Sequence, residues 1–324
     1  ERSSHYNYLE EICMQTIIAL KKDRFQPFYN QGCRLCPREC GADRIHGQTG
    51  FCGMTDEMMA ARAALHYWEE PCISGTEGSG AVFFSGCTLR CVFCQNAEIA
   101  AGHAGKMLSV DRLADIFLEL QEKKANNLNL VTATHFLPLI LPALEKAKAK
   151  GLKIPVVYNT GGYEKTEIIK MLDGIVDIWL PDYKYRSSEL SAKYSRAKDY
   201  PEKAAAALEQ MVQQTGVSVF DKQGMMKKGV IVRHLVLPGC ISDSKDVLEY
   251  LWDHFGNKIY VSIMSQYTPL PHVTAWPELN RRVTQEEYEE VIDYARFLGM
   301  SQVYIQEGEC AKDSFIPAFD CEGI

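Results

Sequence analysis

Basic charge is in short supply in this 324-residue chain: thirty-five Lys and Arg stand against forty-two Asp and Glu, a net charge of −7. Nucleic-acid binding rests on clustered Lys and Arg that neutralise phosphates, so the balance argues against such a partner. Long apolar runs are also missing, and no stretch reads as a membrane span. We find no internal repeat, low-complexity tract or coiled-coil heptad pattern. The chain opens Glu1-Arg2-Ser3-Ser4, with neither Met nor an apolar signal core, which reads as a trimmed start rather than a targeting segment.

What the chain does have is a 46% apolar content, ample for a large α/β domain with a small appendage, and twelve cysteines. A secreted disulfide scaffold is typically short and poor in core, which this chain is not. Seven of the cysteines fall into two ligand-like groups, and that favours metal and a reducing cytoplasm. The first group lies in Cys33-Arg34-Leu35-Cys36-Pro37-Arg38-Glu39-Cys40 and Gly50-Phe51-Cys52-Gly53. Its spacings of two, three and eleven residues, with Gly and Pro turns between, let four thiolates close around zinc or an iron–sulfur cluster. The second group follows Gly80-Ala81-Val82-Phe83-Phe84-Ser85-Gly86, an apolar run that reads as a buried strand ending in a turn. Cys87, Cys91 and Cys94 then come at spacings of three and two, gathered in one loop without an obvious fourth local ligand. An open site of this kind suits a catalytic centre, and the alternative is a three-cysteine zinc or disulfide site.

A leading amphipathic helix is expected over Tyr8 to Lys21, with Cys13 on its apolar face. The Gly- and Ser-rich stretch from Glu69 to Gly80 marks the passage into the catalytic domain. Beyond it, strand patterns at 81–85, 129–133, 154–158, 175–181, 229–237, 258–264 and 302–306 alternate with helical patterns. That alternation builds parallel βαβ units, so the fold class is α/β, a full or partial TIM-like barrel, with a doubly wound sheet as the alternative. We divide the chain into residues 1–70, an N-terminal helix and four-cysteine module; 71–306, the barrel; and 307–324, a tail near the mouth.

In such barrels chemistry gathers at the carboxyl ends of strands. The polar clusters Asn159-Thr160-Gly161-Gly162, Asp182-Tyr183-Lys184, Arg233-His234, Ser265-Gln266-Tyr267 and Gln306-Glu307 fall there or within those strands. Asp182 and Lys184 present a carboxylate and an ammonium on one side of an extended segment, suited to a zwitterionic amino acid moiety. His135 and His234 read as core or neighbouring residues rather than ligands, and Met225-Met226-Lys227-Lys228 reads as a loop face. Glu307, Glu309 and Cys310 fall near the substrate entrance. Cys310 reads as a bland thiol before a hydrogen-atom donor, and Cys72, Cys240 and Cys321 carry no spacing signal.

Taken in order, Glu69-Glu70-Pro71, Gly78-Ser79-Gly80, the cysteine loop with Gln95-Asn96, Val131-Thr132-Ala133-Thr134-His135, Tyr158 to Tyr163, Leu180 to Tyr185, Arg233 to Gly239 and Met264 to Tyr267 resemble one family. It is the pyruvate formate-lyase activating enzyme-related branch of the radical S-adenosylmethionine (SAM) superfamily, in its PflX-like group. The resemblance implies a partial (β/α)6 TIM-like barrel, a 4Fe-4S cluster on Cys87, Cys91 and Cys94, and reductive cleavage of SAM to methionine and a 5′-deoxyadenosyl radical. It further implies that Lys184 contacts the SAM carboxylate, with Phe93 near the adenine and Val236 beneath it. Asp182 and Thr160 fall where the activating enzymes place a monovalent cation, with Asn159 in place of an aspartate. Thr134-His135-Phe136 replaces the Gly-Gly-Glu run that holds the SAM amino group, leaving that role to Thr134 or a backbone carbonyl.

The function that follows is hydrogen abstraction from a peptide, protein or small molecule, with a reductant such as flavodoxin or ferredoxin. Cys33, Cys36, Cys40 and Cys52 would hold zinc or an auxiliary cluster. The alternatives are an activase of a glycyl-radical partner enzyme, and, from another class, a non-catalytic iron–sulfur or zinc protein that carries electrons or scaffolds a partner.

Overall fold

A computed structural model describes residues 24–306 and 317–324. The expected helix over Tyr8 to Lys21, and Glu307, Glu309 and Cys310, lie outside the described residues.

Ten strands form one sheet: β1 (Met59–His66), β2 (Ser79–Phe84), β3 (Lys106–Met107), β4 (Leu128–Val131), β5 (Val156–Thr160), β6 (Ile178–Pro181), β7 (Val219–Phe220), β8 (Met226–Leu235), β9 (Tyr260–Met264) and β10 (Val303–Ile305). Strands β2, β4, β5, β6, β8, β9 and β10 are parallel neighbours in chain order, while β1 is antiparallel to β2 and β3 to β1. A doubly wound sheet reverses its strand order at a switch point, and this run does not, so that alternative is excluded. Residues beside the first and the last parallel strands line one cavity, so the sheet curls into a partial barrel.

The helices are α1 (Pro71–Ser74), α2 (Ala97–Ala100), α3 (Val110–Glu122), α4 (Leu137–Ala149), α5 (Thr166–Met171), α6 (Ser188–Ser195), α7 (Tyr200–Thr215), α8 (Ile241–Phe255) and α9 (Gln285–Phe297). Their starts follow local chemistry. The Ser109 hydroxyl accepts from Arg112 N at the head of α3, and Thr284 with Glu287 forms a capping box on α9. In α3 the residues Leu113, Ile116, Phe117 and Leu120 recur at helical spacing and are all buried.

Strand alternation decides what faces the barrel interior. Val157, Ile178, Leu180, Met226 and Ile231 pack with Cys72 and Ile73 of α1 as an apolar plug. Nearer the carboxyl ends the cavity-lining positions turn polar, with Asn159, Arg233 and Ser262. The stretch Met226–Lys228, expected as a loop face, instead opens β8, where pairing with β7 satisfies its backbone and Met226 is buried. The C-terminal residues run along β1: Cys321 N donates to Ala61 O at 3.0 Å, Ala63 N to Glu322 O at 2.8 Å, and Arg62 pairs with Asp320 at 2.9 Å.

Candidate active site

Strand β2 is buried along its whole length and delivers the chain to Gly86. At φ +87° this glycine has no room for a side chain, since a Cβ would lie 2.4 Å from Met54 Cγ and 2.9 Å from the Cys52 carbonyl oxygen. The following loop carries Cys87, Cys91 and Cys94, and all three line a cavity of about 430 Å³ at the barrel mouth. Arg38 pins that loop: its Nε donates to Thr88 O at 2.8 Å, and its Nη2 to Leu89 O at 3.3 Å and Ser195 O at 2.7 Å. Ser195 Oγ in turn donates to Cys91 Sγ at 3.0 Å.

Burial raises the Cys91 thiol while the Lys184 ammonium opposes it; burial and the neighbouring sulfurs push Cys94 up to about 12. Among the described residues no fourth cysteine lines the cavity. Soft thiols from one loop, open to a cavity and beside a lysine, are a donor set suited to a cluster that keeps one iron for an outside ligand.

Behind the thiols lies a largely buried charge network, whose side chains are 8–17% exposed. Lys184 Nζ donates to Asp182 Oδ2 at 2.6 Å. Arg233 Nε donates to Asp182 Oδ1 at 3.0 Å, its Nη1 to Glu69 Oε2 at 3.1 Å, and its Nη2 to Asn159 Oδ1 at 2.5 Å. Asn129 and Asn159 both donate to Glu69 Oε1, at 3.0 and 3.2 Å. Burial alone would raise the Asp182 carboxyl, but Lys184 and Arg233 outweigh it and hold it below the usual carboxylate range. Burial likewise works against the Lys184 charge, and Asp182 more than restores it.

The cavity is lined by Asn159, Thr160, Asp182 and Lys184 together with the three cysteines. Of the residues named for a cation site, Asp182 accepts from Arg233, which also reaches Asn159, and Thr160 donates to Glu164. Thr134, Phe93 and Val236 do not line the cavity among the described residues. Phe93 sets its edge toward Tyr185 and Tyr267, with centroids 6.5 and 6.3 Å away, and Val236 is wholly buried. Thr134 Oγ1 donates to Glu164 Oε1 at 2.7 Å, and Thr160 Oγ1 to the same oxygen at 2.5 Å. Glu164 was not singled out from the sequence. It is 1% exposed, burial pushes its carboxyl up to about 7, and its Oε2 has no partner among the described residues. The signal for it was a lone acid directly after Gly161-Gly162-Tyr163.

Glu69, Glu70 and Arg233 were quoted as motif residues without a role, and they form much of the cavity floor. His135 and His234 are core residues as expected: His135 Nε2 meets Ser85 O at 2.7 Å, and His234 is held between Tyr183 O and Ser244 Oγ at 2.8 and 2.9 Å. Gln95 Nε2 donates to Gln266 O at 3.0 Å and Gln306 Nε2 to Gln266 Oε1 at 3.2 Å, tying the cysteine loop to the far side of the mouth.

The N-terminal thiols pack directly behind the loop. Cys87 N donates to Cys52 O at 3.2 Å, and Arg90 Nη1 to Phe51 O at 3.2 Å. Cys40 and Cys52 flank Gly50, each sulfur 3.4 Å from where its Cβ would stand. The buried Arg44 reaches Cys33 Sγ at 3.7 Å, and burial raises the Cys36 and Cys52 thiols. Cys36 also feels the charge of Glu164. Among the described residues no three His, Cys, Asp or Glu side chains converge tightly enough to hold a single metal ion. No helix among them is long and apolar enough to cross a membrane.

The chain is similar to MJ0674, an uncharacterized protein of Methanocaldococcus jannaschii, with 26% identity over 282 residues covering 85% of this chain and 77% of that one. Solved structures with similarity include Streptococcus suis SuiB bound to precursor peptide SuiA (14% identity, TM-score 0.45, 69% of this chain and 47% of that one). HydG, a maturase of the [FeFe]-hydrogenase, is another (13% identity, TM-score 0.47, 68% and 50%). The chain spans about half the length of these solved structures. Residues 81–220, which hold the cysteine loop, Asn159, Thr160, Asp182 and Lys184, match the model of the radical SAM superfamily.

Proposed function

We propose that this chain is a radical SAM enzyme of the PflX-like group that abstracts hydrogen from a peptide, protein or small molecule. The observation that carries the reading is the set of three cavity-lining thiols, with the buried Asp182–Lys184 pair beside them in the same cavity. Cys87, Cys91 and Cys94 would hold the 4Fe-4S cluster, and Lys184 would take the SAM carboxylate. When bound, cluster and SAM supply reductive cleavage to methionine and a 5′-deoxyadenosyl radical. The chain's own part is to bind, orient and exclude water. Lys184 is pre-positioned by Asp182, and Asp182 by Arg233, so little ordering remains when the cofactor arrives. Phe93 would sit near the adenine and Val236 beneath it. Glu164, in contact with Thr134 and Thr160, is the acid nearest to where the amino-group role was assigned to Thr134, and we assign it a supporting part there.

In this reading residues 1–70 include a metal-bearing lid on Cys33, Cys36, Cys40 and Cys52, residues 71–306 the barrel, and 307–324 a tail at the mouth. The reductant would be flavodoxin or ferredoxin, and the compartment the cytoplasm, where thiols stay reduced. Zinc and an auxiliary cluster both accept four thiolates. Metal analysis separates them: about eight irons per chain supports two clusters, and about four irons with one zinc supports a structural lid. The function itself is tested by supplying SAM and a reductant to anaerobically reconstituted protein. Release of 5′-deoxyadenosine supports the reading, and its absence under verified cluster loading overturns it.

A further inference from the structure

The cavity floor and strand β4 beside it each hold a buried acceptor that the described residues leave unsatisfied. Glu70, 8% exposed, lines the cavity, and its Oε2 has no hydrogen-bond partner; Asn129 Oδ1 on β4, fully buried, has none either. A buried acceptor without a donor is costly, and such atoms persist where something outside the chain completes them. The local cations are already engaged. Arg233 spends Nε, Nη1 and Nη2 on Asp182, Glu69 and Asn159, and Lys184 donates to Asp182. None of these bonds reaches Glu70.

Burial raises the Glu70 carboxyl, and the charge of Arg233, shared with Glu69 and Asp182, only partly opposes it. Ser262 of β9 supplies a hydroxyl, and Tyr304 of β10 lines the same cavity. His66, which also lines it, is pushed down to about 4 by burial, Arg233 and Arg62, so it is uncharged at neutral pH. The floor thus carries three carboxyl groups, Glu69, Glu70 and Asp182, against two cations, Arg233 and Lys184, and the surplus falls on the one carboxyl with an unpaired oxygen. Trp68, 61% exposed, adds an aromatic side chain to the lining, a residue type that attracts cations.

Resting on the radical SAM reading above, we propose that the substrate of this site presents a cationic nitrogen donor, an amine or guanidinium, that seats on Glu70. The surplus acceptor then gains its hydrogen bond and its counter-charge in one contact. A neutral or anionic substrate of the same shape would leave the carboxyl unpaired and be rejected accordingly.

The test uses reconstituted holoenzyme with SAM and no reductant, titrated calorimetrically with n-butylguanidinium and with its neutral isostere n-butylurea. The guanidinium should bind at least about tenfold more tightly, equivalent to about 1.4 kcal/mol. In Glu70→Gln that preference should fall below about twofold, on the same tenfold-per-decade scale. If Glu70→Gln does not fold, Glu70→Asp carries the test: the shortened carboxylate should weaken guanidinium binding several-fold and leave the urea unchanged. Equal affinity for the two probes, no saturable binding of either, or a preference that survives both substitutions overturns the proposal. Holoenzyme that releases 5′-deoxyadenosine on reduction yet shows no preference overturns this proposal alone, whereas loaded protein that releases none overturns the reading beneath it.

Discussion

The two cysteine groups use one kind of ligand in opposite surroundings. Cys87, Cys91 and Cys94 sit on a single loop at the end of a parallel strand and line the cavity. Cys33, Cys36, Cys40 and Cys52 come from two turns packed behind that loop, and none of them lines it. The first group has a buried carboxylate–ammonium pair in the same cavity; the second has the buried Arg44 against its sulfurs. The lesson is that thiol count is a poor guide to chemistry, while what the fold leaves open beside the thiols is a good one.

The comparison can be broken most sharply at the loop. Cys91→Ala should lower 5′-deoxyadenosine release to below about a hundredth of wild type, measured by chromatography after anaerobic reconstitution. Cys40→Ala should instead remove only the second site's metal, and elemental analysis should still find about four irons. A variant that loses all metal would mean that the two groups do not load independently. Next in size is the network behind the loop. Arg233→Met leaves Glu69 and Asp182 buried without their shared cation and should destabilise the fold by about 3–5 kcal/mol in urea denaturation. A loss under 1 kcal/mol would show that water reaches those carboxylates.

The smallest effect concerns Glu164, which accepts from Thr134 and Thr160. Burial raises its folded-state pKa to about 7 from an ordinary value of 4.5. The stability this contributes is present below the ordinary value and is lost as pH rises through about 7. Glu164→Gln does not titrate, so the stability of wild type minus variant should fall by roughly 1–3 kcal/mol between pH 5 and pH 8. A difference that stays flat would mean that the carboxyl is solvated.

Much of the barrel was legible because each parallel strand is a short β-branched or aromatic run bounded by turn residues, as in Val156-Val157-Tyr158 and Ile178-Trp179-Leu180. Strand β1 was not, since Met59-Ala60-Ala61-Arg62-Ala63-Ala64 is rich in Ala and has weak strand propensity of its own; pairing with β2 imposes it. Asp182 and Lys184 were legible as a pair because they are two apart on an extended segment. Arg233 as a hub was not, because its three partners Glu69, Asn159 and Asp182 come from distant parts of the chain and meet only when the sheet curls. Glu70 and Glu164 escaped for the same reason: an acid in a loop reads as solvated until tertiary structure buries it. Thr134 could be placed at a strand end from sequence, but only packing shows that its hydroxyl turns to Glu164.

The account rests on one iron of the Cys87–Cys91–Cys94 cluster being open to SAM. Electron paramagnetic resonance of the reduced protein, recorded with and without SAM in the Cys40→Ala background, tests this most directly. The cluster signal should change in g-values on adding SAM. A signal that ignores SAM while the cluster is fully loaded would contradict the account.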